Sequence, residues 1–264
     1  MRILSISSQV TFGPVGNSAA VPALQAMGHE VLDIPTIILS SHPGHGNPVP
    51  LRMPASDLAA FLGSLEDLGA LAGCGAVMTG YFAANDQIHG VTRMITRMRK
   101  ANPTLYVLVD PIIGDHDELY VPLPVAEAIR DALVPLATCI TPNRFELEWL
   151  TGWRAGNMAE AEAAARQTGC PEVLATSVPA GPERIATLCV SPGGVHSHVS
   201  ALRGGVPHGT GDFIAGLYLA RRAAGLAPAE ALDYAMPVLE RAIVMSLGSP
   251  LLAVAAALHG SPSQ

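Results

Sequence analysis

A single lysine, Lys100, stands in the 264 residues. A phosphate loop of the G-x-x-x-x-G-K-[ST] kind needs a lysine after its last glycine, and no such run exists, so that route to a nucleotide is excluded. Aromatic residues are scarce at 5%. Ala, Gly, Val and Leu must therefore do the packing, as close helix–sheet contact favours. Cys74, Cys139, Cys170 and Cys189 are widely spaced and form no C-x-x-C pair, which argues against structural zinc and against a disulfide framework. No apolar run approaches a membrane span; the longest candidate, 251–258, is far too short. The opening MRILSIS enters a strand directly, so no signal peptide is read and a cytoplasmic location is expected. A basic excess is also missing. The net charge of −7 leaves no footprint for nucleic acid or an anionic membrane surface.

What remains is rich in core-forming residues: 49% hydrophobic against 14% charged. The length suits one large α/β domain or two small ones, and no repeat, low-complexity tract or linker divides it. Strand-like runs at 3–7, 31–34, 76–79, 105–109, 137–140 and 173–175 alternate with helix-like runs at 15–27, 56–68, 86–100, 124–133, 145–150 and 158–167. Such alternation predicts a mostly parallel sheet covered on both faces. Runs 185–190 and 195–199, joined around Pro192-Gly193-Gly194, predict an antiparallel hairpin at one edge. Helices are predicted at 211–224 and 227–245. The stretch 40–54, rich in Pro, Gly and His, reads as a long loop, and loops of that length are usually functional or mobile.

Gly209-Thr210-Gly211-Asp212 opens the apolar helical run at 213–217. Two glycines around a threonine permit a sharp turn in which several N–H groups converge at a helix N-terminus, which makes an anion site. Asp212 beside it is placed to take a proton from a hydroxyl while the amides hold charge on a transferring phosphoryl group. The plainer alternative is that Asp212 only caps the helix and the glycines only turn the chain. A bulkier residue at Gly211 is expected to crowd the turn.

Ligands of open α/β sheets bind beyond the carboxyl ends of the strands. The residues after the apolar runs there are Ser8, Tyr81, Asp110, Thr141 with Asn143, and Thr176 with Ser177; Asp115 and Glu146 lie slightly downstream. Three carboxylates on one edge call for a cation, and oxygen-only ligands suggest Mg²⁺ or a monovalent ion. Each residue also has a purely structural alternative: Asp110-Pro111 as a turn, and Thr141-Pro142-Asn143 with Glu146 as a helix start.

These residues carry a resemblance. The chain is similar over nearly its whole length to the pyridoxal kinase family, the vitamin B6 branch of the ribokinase superfamily. Ser5-Ile6-Ser7-Ser8-Gln9-Val10 resembles the family's opening strand and substrate serine, and Gly16-Asn17-Ser18-Ala19-Ala20 continues the match. Ser40-Ser41-His42 resembles its Ser-Asn-His loop. Thr79-Gly80-Tyr81, Asp110-Pro111-Ile112-Ile113-Gly114-Asp115, Leu119-Tyr120-Val121-Pro122, Ile140-Thr141-Pro142-Asn143-Arg144-Phe145-Glu146, Thr176-Ser177 and the glycine turn follow in the family's order.

The resemblance implies a ribokinase-like three-layer α/β/α sandwich, residues 1–264 as one domain, and ATP-dependent phosphorylation of the 5′-hydroxyl of pyridoxal, with pyridoxine and pyridoxamine as further substrates, in vitamin B6 salvage. Asp212 would be the base and Gly209, Thr210 and Gly211 the anion hole. Ser8, Tyr81, His42, Pro43 and His45 would face the vitamer. Asp110, Asp115, Thr141, Asn143, Glu146, Thr176 and Ser177 would line ATP, with Asp110, Asp115, Thr141 and Glu146 near Mg²⁺ and a K⁺ or Na⁺ ion. Tyr120 would belong to a flap over the phosphates. The family habit implies a homodimer.

Two places depart from the family. Pro43 stands where a threonine is usual, so a hydroxyl contact is missing, and His45 stands where an aromatic residue is common. The stretch 204–208 is short and Gly-rich. Two rivals follow. One is a hydroxymethylpyrimidine kinase, a cousin in which a cysteine commonly replaces the aspartate. The other is a weakly catalytic vitamin B6 binding protein that has kept the site.

Overall fold

The computed structural model describes residues 1–259. In chain order the strands are β1 (Arg2–Phe12), β2 (Glu30–Ser41), β3 (Pro50–Arg52), β4 (Cys74–Thr79), β5 (Tyr106–Val109), β6 (Gly114–Asp115), β7 (Glu118–Leu119), β8 (Cys139–Ile140), β9 (Glu172–Pro179), β10 (Arg184–Ser191) and β11 (Gly194–Ala201). The helices are α1 (Asn17–Ala26), α2 (Ala55–Asp67), α3 (Asn85–Ala101), α4 (Leu123–Ala128), α5 (Arg144–Thr151), α6 (Met158–Gln167), α7 (Thr210–Ala223), α8 (Pro228–Met245) and α9 (Val254–His259).

Nine strands form one sheet in the order β11-β10-β9-β8-β5-β4-β1-β2-β3. The six central strands, β9 to β2, pair in parallel. Side chains alternate between two cores because successive strand residues point to opposite faces. Leu4, Ile6, Val77, Val107, Val109 and Ile140 enter one core, under helices α2 to α6. Ile3, Ala76, Met78, Leu108 and Cys139 enter the other, under α1, α7 and α8. The result is the expected three-layer arrangement. Helix α7 lies close against α1, where a Cβ on Gly216 would fall 2.8 Å from the Ala20 carbonyl oxygen.

The edges differ from expectation. Antiparallel pairing is present at β10–β11, as predicted, but also at the opposite edge, where β3 pairs with β2. The stretch 40–54 is strand only near its two ends, since β2 runs on to Ser41 and β3 returns along it, while a short helical turn at Pro43–His45 and loop fill the rest. Pro50 can open β3 because an edge strand needs no donor on its outer side. β1 likewise runs five residues past its apolar stretch, to Phe12. Thr176 and Ser177, expected just beyond a strand, lie inside β9. The helix expected over 124–133 keeps α-geometry only through Ala128 and continues in wider turns.

Candidate active site

The parallel strands deliver their carboxyl ends to one side of the sheet. Asp110 directly follows β5, Thr141 and Asn143 follow β8, and Tyr81 follows β4. Ser8 sits where the β1–β2 register shifts and is buried. Opposite them stands the start of α7. Gly209 caps this helix at φ 99°, and a Cβ there would fall 2.0 Å from the Pro14 carbonyl oxygen, so only glycine fits. Gly211 is different. Its Cβ position has nothing within 4 Å, so the expected crowding of the turn belongs to Gly209, and a side chain at Gly211 would project into open space.

Asp212 lies in the first turn of α7 and is buried. The backbone N–H groups of Gly16 and of Asp212 itself lie near its carboxylate and favour its charged form. Gly16 is the N-cap of α1, at φ 63°, and a Cβ there would fall 2.3 Å from both oxygens of Ser8. Two helix N-termini thus meet at one carboxylate, which favours its charged form. Burial outweighs them and pushes Asp212 up to about 6.

Two more buried carboxylates lie close by. Asp110 is held well above its usual value by burial, then by the charges of Asp212 and Glu146. The Thr141 hydroxyl is near enough to offset part of this, yet makes no hydrogen bond of full geometry. Burial likewise lifts Glu146 to about 7, against donation from the N–H groups of Asn143, Ile113 and Gly114. Glu146 is held by the capping box of α5: its Oε2 accepts the Asn143 N–H at 2.9 Å, and Asn143 Oδ1 accepts the Glu146 N–H at 2.9 Å. Its Oε1 accepts the Ile113 N–H at 2.9 Å, next to Ile112 at φ 40°, a costly conformation for a β-branched residue. The helix-start reading of Asn143 and Glu146 is thus correct, and the same cap fixes Glu146 in the acidic cluster.

Among the described residues, no arginine, lysine or histidine forms an ion pair with Asp110, Glu146 or Asp212. Asp115 stands at the rim of this cluster, where its charge acts on Glu146. It lies in the small β6–β7 ribbon, exposed, 3.3 Å from His116. Tyr120 stands beside the cluster, and burial followed by the charges of Glu146, Asp110, Asp212 and Asp115 pushes its phenol well up, so it remains a donor. Thr176 bridges to Asn143, and Ser177 beside it is exposed at φ 57°.

β1 and β2 hold Tyr81 and the turn that follows β2. The Ser7 hydroxyl accepts the Tyr81 N–H at 3.1 Å, and Thr36 donates to the Tyr81 carbonyl at 2.6 Å. His42, Pro43 and His45 form a tight turn just past β2, in which His42 Nδ1 accepts the Gly44 N–H at 3.1 Å. The rings of His42 and His208 lie 4.0 Å apart.

Residues 59–250 match the family model described as phosphomethylpyrimidine kinase. The chain is 36% identical to the pyridoxine/pyridoxal/pyridoxamine kinase of Bordetella avium, over 97% of this chain and 88% of that protein. It is 38% identical to the kinase of the same description from Bordetella bronchiseptica, over 95% and 93%. The chain belongs to the pyridoxal kinase family. Its structure superposes on that of pyridoxal kinase from Leishmania donovani in complex with ADP and pyridoxine with a TM-score of 0.90, at 30% identity, over 99% of this chain and 97% of that one.

Within the pyridoxal kinase family the roles of two further residues become legible here. Glycine is required at position 16 by its left-handed φ and by Ser8, which leaves no room for a Cβ, and its N–H lies near Asp212. No motif in the sequence marks His208. The only signal was its place directly before the glycine turn, in a stretch notable otherwise for its glycines. Among the described residues no helix is long and apolar enough to cross a membrane.

Proposed function

We propose that the protein transfers the γ-phosphoryl group of ATP to the 5′-hydroxyl of pyridoxal, pyridoxine and pyridoxamine, yielding pyridoxal 5′-phosphate and its congeners in vitamin B6 salvage. Asp212 carries this reading: a buried base at the meeting point of two helix N-termini, beside a turn that only glycine can make. Raised to about 6, it is charged at neutral pH yet basic enough to accept a hydroxyl proton. The amides of Gly209, Thr210 and Gly211 would hold the charge that gathers on the phosphoryl oxygens. Ser8, Tyr81, His42, Pro43 and His45 would hold the vitamer, with Asn143, Thr176 and Ser177 along the nucleotide. Fixing hydroxyl and phosphate in line supplies roughly 7–11 kcal/mol of the barrier, and a placed base about 10²–10⁴-fold.

The acidic cluster suits Mg²⁺, an oxygen-seeking ion that binds through one or two carboxylates together with substrate phosphates and water. Among the described residues no three His, Cys, Asp or Glu side chains converge as a complete ligand set, so phosphate and water would have to complete the coordination. Asp110 and Glu146, with the Thr141 hydroxyl and Asp115 at the exposed rim, would hold it, alongside a K⁺ or Na⁺ ion. Held by these residues, such an ion would supply charge neutralisation for the phosphates. We further read residues 1–264 as one domain, acting in the cytoplasm as a homodimer.

One assay tests the function: ATP with each vitamer and with hydroxymethylpyrimidine, with and without chelator. Phosphorylation of the vitamers, abolished by chelation, is expected. Turnover of hydroxymethylpyrimidine alone would make the protein a thiamine-pathway kinase. Tight vitamer binding by calorimetry with no turnover would make it a binding protein.

A further inference from the structure

His208 ends the segment before the anion turn, and Gly209 behind it is locked against the Pro14 carbonyl. The position of its backbone is therefore fixed. Its ring lies over that of His42, with centroids 4.0 Å apart and planes tilted by 31°. The same two rings close on Gly44: a Cβ there would fall 2.5 Å from His208 Nε2 and 3.1 Å from His42 Nδ1. On the far side His45 stands edge-on to His42, at 6.3 Å, and to Phe12, at 5.4 Å. A row of rings thus runs from the end of β1 through Phe12, His45 and His42 to His208 and the start of α7.

The loop itself has little else to hold it. Residues 43–46 are exposed. The backbone bonds of the loop are local, from His45 N–H to the His42 carbonyl at 2.9 Å and from Gly46 N–H to the Pro43 carbonyl at 3.1 Å, apart from a long one, 3.4 Å, from His42 N–H to Phe12. Burial holds both stacked imidazoles below the usual histidine value, His42 at about 4, so they meet uncharged at neutral pH.

We propose that His208 is a positioning residue for the vitamer: stacked on His42, it ties the acceptor loop to the anion turn, so that hydroxyl and phosphoryl group are held by one rigid unit. This rests on the reading of residues 42–45 as the acceptor loop. Pro43 removes a hydroxyl contact from that loop, and the stack supplies order to it from the other side of the site.

The test uses the full-length enzyme. His208→Ala should raise KM for pyridoxal about three- to tenfold, the factor that accompanies loss of one aromatic contact. KM for ATP should stay unchanged and kcat within about twofold. His208→Phe, which keeps a ring, should restore KM. Hydrogen exchange gives a readout independent of turnover. Amides of residues 42–46 should exchange faster in the Ala variant and regain wild-type rates in the Phe variant, with core amides unaltered. Wild-type KM and wild-type exchange in His208→Ala overturn the proposal, as does a rise in KM for ATP equal to that for pyridoxal. If the wild-type enzyme phosphorylates no vitamer, the proposed function falls, and exchange at 42–46 still decides whether His208 holds the loop.

Discussion

Helix α7 carries a buried carboxylate site at each end, and the two are built on opposite principles. Near its C-terminus Glu172 is buried but fully answered. Arg222 forms a bidentate pair with it, at 3.0 and 2.5 Å, and the hydroxyls of Tyr106 and Tyr218 each donate to Oε2 at 2.9 Å. At its N-terminus Asp212, Asp110 and Glu146 share a buried space without a cation partner among the described residues. An unpaired buried charge is costly, and like charges add to the cost. One end thus keeps its charge satisfied within the fold. The other leaves it for something that arrives from outside. The contrast separates structural from functional acidity more sharply than burial does, since all four carboxylates are buried.

The largest effect expected at the active end is on turnover. Asp212→Asn keeps the shape and removes the proton acceptor, so kcat should fall by roughly 10²-fold or more with little change in ATP affinity. Wild-type kcat/KM should decline as pH drops below about 6, where Asp212 gains its proton. The stability of the ligand-free protein should move the other way. A carboxyl raised in the fold imposes no penalty below its unfolded value, and the penalty grows as pH rises through about 6. Asp212→Asn should therefore raise Tm more at pH 8 than at pH 4. An inactive Asn variant with a lowered Tm at pH 8 would erase the contrast between the two ends.

At the paired end the same kind of change should act on stability instead. Glu172→Gln strands Arg222 and should cost about 3 kcal/mol in denaturant unfolding, while kcat per folded molecule stays near wild type. A loss of kcat without loss of stability would mean that the two ends communicate along α7.

Within the active end, the two glycines of the turn should separate strain from crowding of ligand. Gly209→Ala meets the Pro14 carbonyl at a left-handed φ and should destabilise by about 1–3 kcal/mol. Gly211→Ala faces open space and should fold at least as stably as wild type, since alanine favours a helix by about 0.5–1 kcal/mol over glycine. Its activity should nevertheless fall, because the methyl enters the phosphoryl site. Full activity in that variant would remove the phosphate from the turn. The smallest effect is expected at His45. His45→Ala should raise KM for pyridoxal several-fold and leave KM for ATP alone, and Pro43→Thr in that background should recover part of the loss by restoring a hydroxyl, worth about 0.5–1.5 kcal/mol.

Much of this molecule is written in local sequence. Apolar runs of strand length alternating with helical periods dictate the parallel sheet, since each run must bury both faces. Gly209-Thr210-Gly211-Asp212 dictates a turn with a carboxylate at a helix start, because backbone freedom and capping are properties of adjacent residues. Asp110 and Glu146 are legible as strand-end acids for the same reason. The tertiary structure decided whatever depends on residues far apart in the chain. Only the Pro14 carbonyl shows that Gly209 rather than Gly211 is the sterically obligatory glycine, and only the rings of His208 and His42 show that a side chain at Gly44 would displace their stack. β2 extends to Ser41 despite its polar residues because β1 and β3 flank it with partners for its backbone, which no local pattern records. Asp115 reaches only the exposed rim of the acidic cluster because its backbone pairs in a separate ribbon, while Asp212 joins the cluster from the first turn of α7. The charge of Glu172 is answered and that of Asp212 is not, because Arg222 stands near the C-terminal end of α7, about three turns beyond Asp212, on the side that Glu172 reaches from β9. Proximity of that kind is created by packing, and a linear sequence holds no measure of it.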